Sequence, residues 1–167
     1  FTQFDIDAAG AESVALDAEI IAVMCAVMDE LGVPSSRVLV NNRKLIDALL
    51  EHCGITEVDR QKHVLRVIDK LAKVGEGNVR KELGEGRVDE SGDPIRGVGL
   101  ADDVIDQVLA FVALKADSRQ GVIDALAEAL PDSKTATGAL DEMRELAACL
   151  DALGISEANA VFDPSLA

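Results

Sequence analysis

Residues 37–53, RVLVNNRKLIDALLEHC, pass from a short β-branched run directly into an amphipathic one. The first part, RVLVNN, has the composition of a buried strand, and RKLIDALLEHC reads as a helix that Gly54 ends. Upstream, Leu16, Ile20, Val23, Val27 and Leu31 recur at helical spacing, with Asp17 placed to cap the run and Gly32 to stop it. Pro34 and the serines after it supply the turn before the strand. Helix, strand and helix in succession point to α+β architecture, with a sheet that other parts of the chain must complete.

The rest of the chain reads mostly as helix. Residues 57–74 form a basic amphipathic helix, followed by a shorter one near 78–83. Further helices are expected over 101–114, 119–129 and 136–153; in the last, Leu140, Met143, Leu146 and Leu150 make the apolar stripe and Gly154 closes it. Residues 84–99, GEGRVDESGDPIRGVG, hold five glycines and a proline and read as a flexible loop or loose hairpin. Their glycines match neither G-x-x-x-x-G-K-[ST] nor a G-x-G-x-x-G fed by an apolar strand, so they give no phosphate-binding signature. Near the end, ANAVFDPSLA reads as a short strand stopped by Pro164. The two ends, 1–54 and 155–167, are therefore expected to share a sheet, from which 55–154 is a helical excursion.

The opening ten residues, FTQFDIDAAG, alternate with the period of a strand. Thr2, Phe4 and Ile6 fall on one side, and Gln3, Asp5 and Asp7 on the other. Such a polar face either meets water or lines a pocket for a small cationic, hydrogen-bonding ligand.

The chain has 167 residues and a net charge of −15, unevenly spread. Residues 1–59 carry 11 acids and 3 bases, net −8; residues 60–99 carry 7 acids and 9 bases, net +2; residues 100–167 carry 13 acids and 4 bases, net −9. The overall balance excludes a generally nucleic-acid-binding surface. Within the basic middle, however, Lys62, Arg66, Lys70 and Lys73 recur along one helix face opposite Val64, Val67, Ile68 and Leu71. That stripe is either an ordinary solvated face, with Asp59, Asp69 and Glu76 close by, or a surface for phosphates. Cys25, Cys53 and Cys149 are widely spaced on apolar helical patterns, which fits buried thiols and not a metal site or disulfide framework. His52 and His63 lack any acid or nucleophile at a spacing that would enlist them in catalysis. Asn41, Asn42 and Arg43 read as a capping junction between strand and helix. The most apolar stretch, VALDAEIIAVMCAVMDEL, is interrupted by Asp17, Glu19, Asp29 and Glu30, so no membrane span or signal peptide is expected and the reading is a cytoplasmic protein. The absence of an initiator Met and the strand-like opening suggest a piece of a longer chain.

Six segments then carry a resemblance in their order and spacing: FTQFDIDAAG, LDAEIIAVMCAVMDELGV, VLVNNRKLIDALLEHCGI, VLRVIDKLAKVG, LDALGI and FDPSLA. Together they resemble the catalytic-domain segment of histidyl-tRNA synthetases, which are class II aminoacyl-tRNA synthetases. The similarity covers nearly the whole chain and departs at residues 84–99, so no role is carried onto that segment.

The resemblance implies a predominantly helical α+β fold: part of a class II antiparallel sheet, from 1–54 and 155–167, with a helical insertion domain at 55–154. It implies that Gln3 and Asp7 hold the amino-acid substrate histidine. Two residues four apart on a strand share a face at about 13 Å separation, an Asp carboxylate complements an ammonium group, and a Gln can donate and accept. The implied reaction joins histidine and ATP, with Mg2+, into histidyl-adenylate and then charges tRNA(His). The cations such chemistry needs are not carried by this stretch, and the family's R-G-L-D-Y-Y-T-G signature would begin just after Ala167, so no catalytic residue is assigned and the isolated chain is expected to be inactive. The insertion domain is implied to approach the tRNA acceptor stem, which gives Lys62, Arg66, Lys70 and Lys73 a possible partner; a homodimer is implied for the parent. Two alternatives remain open at this point: a synthetase-like regulatory paralogue of histidine biosynthesis, and a non-catalytic helical interaction module.

Overall fold

The computed structural model describes residues 3–130 and 132–166. In chain order its elements are α1 (Val14–Glu30), β1 (Val38–Val40), α2 (Arg43–His52), α3 (Val58–Ile68), α4 (Leu71–Val74), α5 (Glu76–Leu83), β2 (Gly86–Val88), β3 (Pro94–Arg96), α6 (Asp102–Val112), α7 (Arg119–Ala129), α8 (Lys134–Ala152) and β4 (Ala160–Phe162).

Side-chain caps set four of the helix starts among the described residues. Ser13, Asn42, Ser118 and Ser133 sit in extended backbone, and each side chain accepts from an amide in the first turn of α1, α2, α7 or α8. Ser13 takes the role expected of Asp17, which lies instead in the first turn of α1, where its charge suits the helix dipole. At the other ends Gly32, Gly54 and Gly154 follow α1, α2 and α8 in the left-handed conformation.

Strand β4 pairs with β1 in register Val38–Ala160, Leu39–Val161 and Val40–Phe162, so the two ends do share a sheet. This pair is parallel, in contrast to the antiparallel sheet that the resemblance implied. The connection explains the direction: a long helical excursion separates the strands and returns the chain the same way round, as a crossover requires. Helix α8 is the spine of the packing, with Leu140, Met143, Leu146 and Leu150 buried and contacts to α1, α2 and α7. The smaller group of α3, α4 and α6 gathers around α5. One apolar cluster runs through both groups, from Ala18 in α1 to Phe162 in β4.

Three sequence expectations change. The opening strand is not seen: residues 3–13 are outside any regular element, Phe4 is 65 % and Ile6 42 % exposed, and Phe1 and Thr2 lie outside the described residues. A strand needs a neighbour for its N–H and C=O groups, and none of the described strands pairs with this segment. The helix expected over 57–74 is broken: α3 ends at Ile68, the Lys70 amide bonds the Val67 carbonyl, and α4 restarts at Leu71 before Gly75 stops it. The Gly-rich stretch is an ordered hairpin, β2 against β3. Its glycines are there for close backbone contact, because a Cβ on Gly97 would overlap the Gly84 carbonyl oxygen and the Gly86 amide. The hairpin turn is closed by Asp89, whose Oδ1 accepts from the Ser91 amide, the Ser91 hydroxyl and the Asp93 amide. Those bonds, the Ser91 hydroxyl first, hold its carboxyl below the usual range.

Candidate functional site

Gln3 and Asp7 lie on the exposed segment that precedes α1. Gln3 Nε2 donates to Asp5 Oδ1 at 2.9 Å, a local contact within a segment that forms no strand. Ala8, next to Asp7, forms the rim of a hollow that Glu12, Asp17, Lys44 and Glu142 also line. This hollow, of about 520 Å³, shares Val14, Asp17, Ile20 and Glu142 with a neighbouring cleft of about 480 Å³ between α1, β1, the start of α2 and α8. The cleft has an apolar floor, including Ile21, Val38 and Met143, and a polar rim, including Asn41, Arg43 and Glu142. The two hollows form a continuous groove with Ala8 at one end, and neither Gln3 nor Asp7 is among its lining residues.

The groove's polar rim is held by Glu142, a residue that the sequence did not single out. Its Oε2 accepts from Asn42 Nδ2 at 2.7 Å and its Oε1 from Lys44 Nζ at 2.5 Å. These two hydrogen bonds, Lys44 first, hold its carboxyl below the ordinary range. Asn42 also caps α2 by accepting from the Lys44 amide at 3.1 Å, and Arg43 pairs with Asp47 one turn on at 3.0 Å. Asn41 Nδ2 donates to the Leu166 carbonyl at 2.6 Å and so ties the end of β1 to the segment after β4. The Asn41–Arg43 junction is therefore structural in the sense the sequence indicated. Glu142 was invisible because it lies about a hundred residues from its partners, and only the packing of α8 on α2 brings them together.

The four cations of the basic stripe do not remain together. Lys62 and Arg66 are exposed on α3 and Lys73 on α4, and no ion pair involves any of the three among the described residues. Lys70, at the break between the helices, turns inward and donates to Glu82 Oε2 at 2.8 Å. Glu82 is fully buried on α5 and takes a second bond from Arg87 Nε at 2.8 Å on β2, so one carboxylate joins α4, α5 and the hairpin. Burial pushes this carboxyl up, but the hydrogen bonds and charges of Lys70 and Arg87 outweigh it and leave it below the usual range. Arg80 is likewise engaged, with Asp106 at 2.6 Å, whereas Lys81 is exposed.

His52 ends α2 on the surface and His63 is half-buried on α3. The cysteines are free thiols; burial, then the charges of Asp29 and Asp103 respectively, raises Cys25 and Cys53 above the ordinary thiol value. No helix among the described residues is long and apolar enough to cross a membrane.

Comparison with known proteins places this arrangement. A family model described as histidyl-tRNA synthetase matches residues 1–167. The histidine–tRNA ligase of Paracoccus denitrificans is 40 % identical over 168 residues, covering 99 % of this chain and 34 % of the relative. That of Caulobacter vibrioides is 38 % identical over 169 residues, with the same 99 % and 34 % coverage. The crystal structure of histidyl-tRNA synthetase from Nostoc sp. PCC 7120 superposes with a TM-score of 0.73 at 21 % identity over 93 % of this chain and 34 % of that one, a likeness of fold. The chain spans about a third of the length of the curated relatives it matches. With a match that runs through every element from the Gln3–Asp7 segment to β4, the chain belongs to the histidyl-tRNA synthetase family.

Proposed function

We propose that this chain is a segment of a histidine–tRNA ligase, in which residues 1–54 and 155–167 belong to the catalytic domain and 55–154 form the insertion domain. The observation that carries the reading is the family match over the whole chain, with ligases at about 40 % identity among its relatives. The full-length protein activates histidine with ATP and transfers the histidyl group to tRNA(His), as a cytoplasmic homodimer. ATP, with Mg2+, is a substrate of that reaction, and no group of this chain is assigned to either. Gln3 and Asp7 form one wall of the histidine pocket: the Asp7 carboxylate takes the substrate's ammonium group, and the Gln3 amide serves its polar atoms. Both are exposed ahead of α1, which supports the reading that they can meet a ligand.

Of the stripe, Lys62, Arg66 and Lys73 are the residues that meet tRNA phosphates, whereas Lys70 is committed to Glu82. A test on the full-length protein separates the two assignments. Asp7→Asn should raise the histidine KM by on the order of tenfold or more in ATP–pyrophosphate exchange, as loss of a charge-assisted bond does, and leave tRNA affinity alone. Lys62→Glu with Arg66→Glu should weaken tRNA binding and flatten its salt dependence while sparing exchange. Histidine-independent exchange rejects the function, and tRNA affinity unchanged in the double variant returns the stripe to a solvated face.

A further inference from the structure

Arg119 opens α7 with its side chain only 2 % exposed, and nothing in the proposed function uses it. Its guanidinium reaches the connection between α8 and β4. Nη1 donates to the carbonyl oxygens of Ser156 at 3.2 Å and Ala160 at 3.1 Å, and Nη2 to the Ile155 carbonyl at 3.0 Å and the Asp151 carboxylate at 2.5 Å. Glu157 accepts from the Arg119 backbone amide at 2.8 Å and lies 3.5 Å from Nε. Three carbonyls of residues 155–160 therefore converge on one planar fork, a pattern that the single ammonium of a lysine does not reproduce.

The Ala160 contact carries the argument. The Val38 amide donates to the Asn159 carbonyl at 2.8 Å and the Asp163 amide to the Val40 carbonyl at 2.9 Å. The backbone groups of Asn159 and Asp163 thus face β1, and successive residues of a strand turn theirs to opposite edges, so the Ala160 carbonyl points to the other edge of β4. Arg119 occupies that edge where a further strand would bond. We infer that Arg119 is a positioning residue: by holding the 155–160 turn and the outer-edge carbonyl of Ala160, it fixes the register of β4 on β1 and couples helix α7 to that strand. Where this reaches chemistry it rests on the proposed histidine-activating function, in which β1 and β4 belong to the catalytic domain. In that protein Arg119 sets the strand's placement and, through it, the affinity for histidine, without touching substrate.

Two readouts on Arg119→Gln and Arg119→Lys test this, with Glu82→Gln as a control that loosens the fold elsewhere. In amide hydrogen exchange, Val38 and Asp163 should exchange about tenfold faster in Arg119→Gln, less so in Arg119→Lys, and as wild type in Glu82→Gln. In the full-length protein, below every variant's melting temperature, Arg119→Gln should raise the histidine KM about tenfold with kcat within about twofold, and Glu82→Gln should leave both unchanged. Unchanged exchange at Val38 and Asp163 overturns the clamp whether or not the protein activates histidine. Faster exchange with an unchanged KM overturns the positioning role. Wild-type protein lacking histidine-dependent ATP–pyrophosphate exchange rejects the functional reading instead, and the amides alone then decide the clamp. Should Arg119→Gln not fold, Arg119→Lys decides by the same readouts.

Discussion

Helices α1 and α6 are both strongly apolar, yet they are finished differently. Helix α6 buries Ile105, Val108, Leu109, Phe111 and Val112 and turns Asp102, Asp103 and Asp106 outward. Helix α1 buries Ala18, Ile21 and Cys25 against α8 and β1, but Met24, Met28 and Leu31 on another side are 42 %, 37 % and 70 % exposed. A helix that is apolar on one face only is complete once that face is covered, whereas one that is apolar nearly all round is suited to burial on two sides. The bundle around α5 and α6 thus has its apolar face covered, whereas α1, on the sheet side, presents a second, bare one.

If the bundle is closed, its core should behave like that of an ordinary domain. Phe111 is 2 % exposed, and Phe111→Ala removes a large side chain where the surroundings have little room to collapse. The expected loss is about 4 kcal/mol in urea unfolding. A loss below about 1 kcal/mol, the size of a surface change, would show that the bundle is loosely packed and remove the contrast with α1.

The ionic seam of the same bundle comes next. Glu82→Gln takes the charge from a fully buried group bonded to Lys70 and Arg87, and should cost about 3 kcal/mol, toward the low end for a broken buried pair because Lys70 is 44 % exposed. The pH dependence has a definite sign. The Glu82 carboxyl is held below its ordinary value, so its contribution to stability is fully present above about pH 4.3 and is lost as pH falls through the lower folded-state value. The gap between wild type and Glu82→Gln should therefore be widest near neutrality and shrink on acidification, as followed by unfolding at a series of pH values. Glu142 acts in the same direction, but its exposure to solvent makes its share small. A gap that widened in acid would mean that the Glu82 carboxyl is not held charged by its partners.

The contrast also separates what the residues alone could show from what they could not. Periodicity located α7 at 119–129, the strand-to-helix step at Asn42 and the return strand after 155, because each is fixed by spacing, a cap or a proline within a few residues. It overran at Asp69 and Lys70, where the apolar pattern continues but Lys70 is drawn inward by Glu82, a partner twelve residues on that no local rule identifies. It read the glycines of 84–99 as looseness, although Gly86 and Gly97 are small because two backbones nearly touch there. Gln3 and Asp7 stood out as a polar alternation, and the resemblance gave them a role. Glu142 and Arg119 did not, since an acid or a base on a helix looks solvated until distant elements close over it. Local chemistry shows caps, turns and polar alternation and misses the long-range contacts that hold the groove's rim.

The smallest effect concerns the bare face of α1. Met24→Ser with Leu31→Ser should change the stability of this chain by no more than about 0.5 kcal/mol, because both side chains already meet water and serine loses little helix propensity relative to them. In the full-length protein the same pair should cost about 2 kcal/mol more if the face is covered there, the amount expected for transferring two largely buried apolar side chains back to water. Comparing the two losses by urea unfolding isolates burial from propensity, since propensity is common to both chains. Equal losses would show that α1 keeps an exposed apolar face in the whole protein, and the division between a closed bundle and an open sheet-side layer would then be a property of the fold itself and not of a surface awaiting its cover.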